Sequence, residues 1–408
     1  MLKSRRILGL VLVALGVVAI VLNVLFVKHP RASVRRPVAP EKNAYEFCQK
    51  WLSPENDLAT RLRLLPEIMK FEGYVPPKAP SVPPLGLQLW DAQIMAKVVR
   101  VIAVIRMLEG KRDESLRLLE SSYRLGQLLC QSTRLMDIWI GIAVRRIAGK
   151  ALEIHLLNCC ETEAEFKQFW KTLNSLREYN VPQTEEELME LEPAPLIVRL
   201  FLRKALRENV QVTKARQSIV DARFELLRMA TAVRYRFVLR GEFPRTPDQF
   251  GPLLSEGLPK DPFSDGPLKF IMTTDSLVCY SIGPDGRDDR VAIEYDPTNG
   301  SLSPGDMLMT VPRKREYPFP REGVRARSLE DFSRQFPNGL PIDPFSSSRK
   351  RLGTTSTLAG GVFVYSYGPD VVEFKGQFQG TSHVLQVQYD PTNGITSEGD
   401  VFIRIPPR

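Results

Sequence analysis

The groups that could carry acid–base or covalent chemistry are few and scattered. The chain has three histidines, His29, His155 and His383, and none belongs to an H-E-x-x-H pair. Five cysteines, Cys48, Cys130, Cys159, Cys160 and Cys279, include no C-x-x-C. Their spacing supports neither a zinc knuckle nor a thioredoxin-like site. The neighbours Cys159 and Cys160 read as buried helix residues. No G-x-S-x-G turn and no P-loop occurs. Carboxylates are abundant, but only "GPDGRDD" gathers them beside glycine turns, as Asp285, Asp288 and Asp289, with Asp306 following in "PGD". Both are turn sequences in their own right: proline presets φ and aspartate bonds its own backbone. On these grounds the chain reads as a non-enzyme.

The elements that position these residues follow from composition and pattern. At 408 residues, 43% hydrophobic and 25% charged, the chain has the make-up of a globular protein of two or three domains. The formal charge of +9 and pI near 9.3 describe a solvated basic surface; attraction to anionic lipid or another acidic polymer is the functional alternative. No nucleic-acid module is recognisable.

Lys3, Arg5 and Arg6 precede an apolar run from Ile7 to Val27 in which Asn23 is the only clearly polar member. As a helix rising ~1.5 Å per residue it spans about 31 Å, close to the hydrocarbon thickness of a bilayer. It exceeds a signal-peptide core, and Lys28, His29 and Pro30 follow instead of a small-x-small cleavage site. Residues 1–29 are therefore expected to form an uncleaved transmembrane signal anchor. Basic residues on the two sides nearly balance, and the short N-terminal tail argues for a body on the extracytoplasmic side of the inner (cytoplasmic) membrane. A Pro- and Arg-containing linker, 30–42, follows.

Residues 43–214 read as helical. Ser53-Pro54 is an N-cap with first-turn proline. Ile94, Val98, Val101, Ile102 and Ile105 share one helix face before Gly110; Leu116, Leu119, Tyr123 and Cys130 stripe a second helix. This αα-hairpin is similar to a single tetratricopeptide-like unit. Thr162 with Glu165, and Thr184 with Glu187, are capping-box pairs. After Pro193 and Pro195, a long helix runs from about Leu196 to Leu239, and its Arg203, Lys204, Arg207, Lys214 and Arg216 read as a solvated face.

The last third is a duplication. "RTPDQF", "GLPKDPF", "YSIGPD" and "YDPTNGSLSPGD" return as "RSLEDF", "GLPIDPF", "YSYGPD" and "YDPTNGITSEGD". The separation of equivalent aspartates widens from the Asp261/Asp343 pair to the Asp296/Asp390 pair, so the second copy gains residues between motifs, where loops tolerate them. "LVCYSI" and "GVFVYSY" have strand composition, and a small antiparallel sheet is expected in each copy. The domains are thus 215–313 (long helix plus first repeat), a linker at 314–326, and 327–408 (second repeat).

The order long helix, "GEFPRTPDQF", "LPKDPFSDGPLKF", "YSIGPDGRDD" resembles the head domain of type II secretion major pseudopilins. The resemblance covers about residues 220–312 and again 327–408. The prepilin cleavage box is missing, and some 190 residues separate the apolar run from the first head-like unit, so the unit looks doubled on a different anchor. In that family the corresponding loop and the acidic loop after it hold calcium. The resemblance therefore implies Ca2+ at Asp285 and Asp306, with Asp288 and Asp289 as further oxygens; calcium takes six to eight. Asp370 and Asp400 correspond in the second copy, where the glycine and extra acids are lost.

The sequence reading is an α+β protein: an N-terminal transmembrane helix, an all-α middle and two small antiparallel β-rich pseudopilin-like repeats. Its function is expected to be structural or protein-interacting in the bacterial envelope, with an unidentified protein partner and a possible link to secretion or envelope assembly. A calcium-dependent binding module for a polymer or protein, and an envelope hydrolase without a recognisable motif, are the alternatives.

Overall fold

The computed structural model describes residues 41–76, 86–132, 134–178, 196–296, 301–356, 362–366, 368 and 401–405. The apolar run at 7–27, the Thr184/Glu187 pair, His29, His383, Asp370 and Asp400 lie outside them. The fold is mixed helix and small antiparallel sheet, and eight α-helices fall among the described residues. None of these helices is long and apolar enough to cross a membrane.

Two short helices open the described chain, α1 (Tyr45–Trp51) and α2 (Leu58–Leu64). Asp57, not Ser53, caps α2: its carboxylate accepts the Thr60 amide at 2.8 Å, while Ser53-Pro54 forms the turn before it. An aspartate in extended backbone conformation out-competes serine here because it brings charge to the positive end of the helix.

Four longer helices build the body: α3 (Gly86–Leu108), α4 (Arg112–Cys130), α5 (Leu135–Cys159) and α6 (Glu163–Glu178). The apolar stripes expected for α3 and α4 face inward, and Gly110 ends the α3 turn at a φ of 77°. The tightest crossing joins α4 to α5. A methyl group on Gly126 would stand 2.8 Å from the Gly141 carbonyl oxygen, and one on Gly141 would stand 2.6 Å from that of Gly126. Two glycines at one crossing let the backbones touch. Thr162 caps α6 as its sequence predicts: Thr162 Oγ1 accepts the Glu165 amide, and Glu165 accepts the Thr162 amide at 2.9 Å.

Helix α7 (Leu196–Arg240) is 45 residues long, about 68 Å at ~1.5 Å per residue. It packs on α5 and α6 and carries the first β-unit. That unit is β1 (Lys269–Met272), β2 (Ser276–Ser281) and β3 (Met307–Pro312), antiparallel throughout with β2 central. Leu277, Cys279, Met307, Met309 and Val311 are buried from its inner face. The second unit repeats this order with β4 (Gly353–Ser356), β5 (Val362–Ser366) and β6 (Val401–Ile405), preceded by α8 (Leu329–Gln335). Here Val362, Val364, Val401 and Ile405 are buried, and β6 lies against α3.

The entries to the two units differ. Ser328 caps α8 by accepting the Asp331 amide at 3.1 Å. In the first copy the expected helix is a single 3-10 turn, Pro247–Phe250; Thr246 makes no side-chain cap bond, and the Gln249 side chain accepts the Arg245 amide instead. Gly251 then turns the chain at a φ of 78° and prevents a longer helix.

Residues 314–326, expected as a linker, form a strap bound to the helical body. The Tyr317 amide donates to Asn158 Oδ1 at 2.8 Å and the Val324 amide to the Leu108 carbonyl at 2.6 Å. Tyr317, Phe319, Val324 and Ala326 are buried. One large hydrophobic core runs from Ala44 to Ile405 and draws on the helices, both sheets and the strap, and a smaller cluster of Cys130, Leu135, Ile138, Ile142, Val210 and Val220 stands apart from it.

Candidate functional site

The repeated motifs meet at one buried clasp in each β-unit. In the first, Asp261 of "LPKDPF" is fully buried. Its Oδ1 accepts the Ser281 hydroxyl at 2.7 Å and the Phe263 amide at 3.0 Å, and its Oδ2 accepts the Ile282 amide at 3.0 Å. In the second, Asp343 Oδ1 accepts the Ser366 hydroxyl and the Phe345 amide, both at 2.9 Å. Each serine hydroxyl then accepts the amide of the glycine two residues on, Gly283 or Gly368. Hydrogen bonds of this kind offset much of the cost of burying a carboxyl group. The D-P-F and Y-S-x-G motifs are thus two halves of one brace. Neither motif shows its role along the chain; their return as a pair in both copies is the one local signal of it.

Downstream of the first clasp lies the acidic loop. Gly305 makes it possible, with a φ of 115°, where an added methyl would lie 2.8 Å from the Tyr295 amide nitrogen. Asp306 is held from both sides: its amide donates to the Ile293 carbonyl at 2.8 Å and its carbonyl accepts from the Tyr295 amide at 2.9 Å. Its side chain is fully buried, and Oδ2 accepts the Val291 amide at 2.6 Å. Among the described residues Oδ1 meets no hydrogen bond of ordinary geometry, although the Asp289 amide also faces the carboxylate. Burial raises the Asp306 carboxyl above its ordinary range, with the amides of Val291 and Asp289 opposing and the charges of Asp288 and Asp289 adding to the rise. The facing backbone is strained: Arg290 and Val291 take φ values of 52° and 69°. A β-branched residue there is disfavoured by about 1–2 kcal/mol.

The other three aspartates take different parts. Asp285 accepts the Arg287 amide at 3.2 Å and, through Oδ2, the Gly305 amide at 3.3 Å, which brings it beside Asp306. Asp288 accepts the Arg290 amide at 3.0 Å and forms an ion pair with Lys269 at 2.6 Å. The Lys269 bond holds its carboxyl below the usual range. The Asp289 backbone carbonyl accepts from the Ala292 amide at 3.0 Å. A cation would therefore find one buried oxygen of Asp306 without a hydrogen bond of ordinary geometry, with Asp285 adjacent, while Asp288 is already neutralised by lysine. Among the described residues, no three His, Cys, Asp or Glu side chains converge as a metal-holding group.

The groups of nucleophilic or basic type are built into the core. His155 on α5 is stacked on Phe169 with ring centroids 5.8 Å apart. Burial, reinforced by the charge of Arg112, holds its pKa down at about 3, so the imidazole is neutral. All five cysteines are free and buried. Burial pushes the Cys48 and Cys159 thiols up to about 12 and Cys130 to about 11, away from the thiolate that reactivity requires.

A second polar cluster escaped sequence reading. Arg112, almost fully buried at the start of α4, donates to Cys159 O and Phe319 O, both at 2.7 Å, and pairs with Glu165 at 3.0 Å and Glu161 at 3.3 Å. Arg315 and Arg321 from the strap meet the same two glutamates. Thr162/Glu165 was legible as a cap, but its arginine partners stand tens to hundreds of residues away, and spacing cannot reveal them.

Comparison with protein-family models, with curated proteins and with solved structures found no match.

Proposed function

We propose that this chain is a membrane-anchored protein of the bacterial envelope, held by its N-terminal apolar run, whose folded body acts by binding other proteins. The observation that carries this reading is the pair of β-units, each clasped by an Asp–Ser hydrogen bond, mounted on one helical body. Duplicated, rigidly braced modules suit presentation of surface better than chemistry, and loops on such scaffolds are where recognition concentrates. The order of motifs adds the pseudopilin-like resemblance and with it a role near secretion or envelope assembly.

The first β-unit also exposes apolar side chains on its loops, Ile293 at 50% and Leu302 at 60%. A photo-crosslinking amino acid at either position in the full chain, in cells, is expected to give a discrete heavier adduct. Protease added to spheroplasts is expected to digest the body. An intact body in spheroplasts, or no adduct from either position, would remove the reading.

The buried Oδ1 of Asp306 favours a second, compatible reading, in which the loop takes a calcium ion through Asp306 and Asp285. A ligand at ~100 times its dissociation constant stabilises by about 2.7 kcal/mol. Thermal melts of the protein with calcium and with chelator should differ by several degrees, and the difference should vanish in Asp285→Ala. Asp306→Asn is expected to leave the chelated melting temperature unchanged or higher, because it removes a buried charge. Equal melts with and without millimolar calcium would reduce the loop to a hydrogen-bonded turn.

A further inference from the structure

A strand at the edge of a sheet presents a row of unpaired backbone N–H and C=O groups. In the first β-unit the ladder tells which residues carry them. The Arg313 amide donates to the Asp275 carbonyl and the Thr273 amide to the Ser276 carbonyl, both at 2.9 Å. Hydrogen-bonded pairs alternate along an antiparallel ladder. Leu277, Cys279 and Ser281 of β2 therefore bond to β3, and Val278 and Tyr280 bond to β1. On β3 the outward groups include those of Leu308 and Pro312, and α7 covers both: Arg223 donates to the Leu308 carbonyl and Arg234 to the Pro312 carbonyl, each at 3.0 Å. On β1 the outward groups are those of Phe270 and Met272. Among the described residues, none outside the sheet hydrogen-bonds to either.

The segment before β1 begins to cover this edge and stops short. Lys260 bridges to Pro267, and the Leu268 amide donates to the Pro259 carbonyl at 2.8 Å. The residue that would come next, opposite Phe270, is Gly257. It sits in a turn instead, at a φ of 97°, with its amide on the Leu254 carbonyl at 3.0 Å. Lysine on an edge strand is a common guard against pairing, but Lys269 is held on the face opposite Phe270 by Asp288 at 2.6 Å. Phe270 packs edge-on against Phe250 at 5.0 Å, and Met272 on the same face is 45% exposed. The second unit lacks this apolar edge. Its β4 reads Gly-Thr-Thr-Ser, and just before it Arg351 donates to the Leu340 carbonyl at 2.8 Å and to the hydroxyl of Tyr317 in the strap at 3.0 Å.

We infer that β1 is a self-association edge, at which two copies of this chain join antiparallel through Phe270 and Met272 into one continuous sheet. The edge is self-complementary about Ile271. A two-fold axis there sets each Phe270 opposite the other copy's Met272, and every outward N–H and C=O group of the two strands finds a partner. The same register lays the exposed Met272 thioether beside the other copy's Phe270 ring, a favourable sulfur–aromatic pair. It sets Lys269 opposite Thr273, so no like charges face each other. Neighbouring registers fail. An axis at Phe270 would bring Met272 to Leu268, whose amide is given to Pro259; an axis at Met272 would bring Phe270 to Thr274, whose carbonyl accepts from Arg313 Nε at 3.2 Å. Backbone groups alone would take any extended strand, but the methionine–phenylalanine match is specific to this strand meeting itself. The inference goes beyond the protein-binding reading and does not depend on it.

The test is disulfide trapping of the full chain in cells. In Ile271→Cys the new thiols face each other across the axis, where non-hydrogen-bonded antiparallel partners hold their Cα atoms about 4.5 Å apart, within disulfide reach. The five native cysteines are buried. Mild oxidation should give a dimer at twice the chain's mass, lost on reduction. Lys70→Cys, at an exposed site on the helical body, should give none. Adding Met272→Pro deletes an outward N–H and no ladder bond, and should slow trapping at least about tenfold. Met272→Lys leaves the backbone intact and replaces the thioether with a charge, so it should slow trapping even where the proline variant fails to fold. No dimer from Ile271→Cys, equal trapping of Lys70→Cys, or unslowed trapping in both Met272 variants overturns the inference. So does a photo-crosslinker at Ile271 that yields an adduct of any mass but the dimer's, which gives the edge to another protein's strand. The readout is a dimer of this chain, not an adduct at Ile293 or Leu302, so the two readings fall separately.

Discussion

At the scale of the residue, buried polar groups decide local structure. Ser281 and Ser366 do the same work in two places, so Ser281→Ala and Ser366→Ala should each destabilise by about 1–2 kcal/mol, read as shifted urea midpoints with unchanged slopes. Loss in one copy only would break the equivalence of the clasps. His155 gives a pH signature. Its folded pKa of about 3 lies below its unfolded value of about 6.5. The unfolded chain therefore binds the extra proton between those limits. Stability is fully present above the unfolded pKa and falls as pH drops through the window, by up to about 1.4 kcal/mol per pH unit. His155→Leu should remove that component of the slope when unfolding is followed from pH 7 to pH 4.

At the scale of the element, two features set how helices and strap meet. Gly141→Ala adds helix propensity worth about 1 kcal/mol, yet its methyl would meet backbone at 2.6 Å. Overpacking should prevail, with net destabilisation of about 1–3 kcal/mol by chemical denaturation. The strap is rich in trypsin sites, including Arg315, Arg321 and Arg325, but is held by Arg112, Glu161 and Glu165. Native protein should resist cleavage there. Glu161→Gln/Glu165→Gln leaves Arg112 buried without a counter-charge, a loss of about 3–5 kcal/mol, and should open the strap to trypsin while the far-UV spectrum persists.

At the scale of the whole molecule, both β-units rest on helices, but not on equivalent ones. The first lies on α7, the helix that leads into it in sequence. The second lies against α3, and the strap fastens it to the body. With one large apolar core from Ala44 to Ile405 and only a small separate cluster around Ile138 and Val210, the body should unfold in one transition, with coincident curves from tryptophan fluorescence and far-UV circular dichroism. Two separated transitions would mean that the second unit folds on its own.

Features that depend on local pattern are legible along the chain. The apolar stripes of α3 and α4, the Thr162 cap, the long α7 and the paired strands of two repeats were all legible, because 3.6- and 2-residue periods and turn residues act over a few positions. So were the burial of Cys159 and Cys160 and the helical setting of His155. Features that depend on distant partners emerge only from the packing. Asp57 displaced Ser53 as a cap, and Gly251 kept the first repeat's opening helix to one turn. The linker became a strap because Asn158, Leu108 and Arg112 receive it. The acidic loop had its lysine and its buried oxygen assigned only when Lys269 and Val291 were brought to it. Arg112 met Glu161 and Glu165, and Arg145 met Asp221, only through packing, since charge pairing is settled by which helices lie side by side and not by spacing along any one of them.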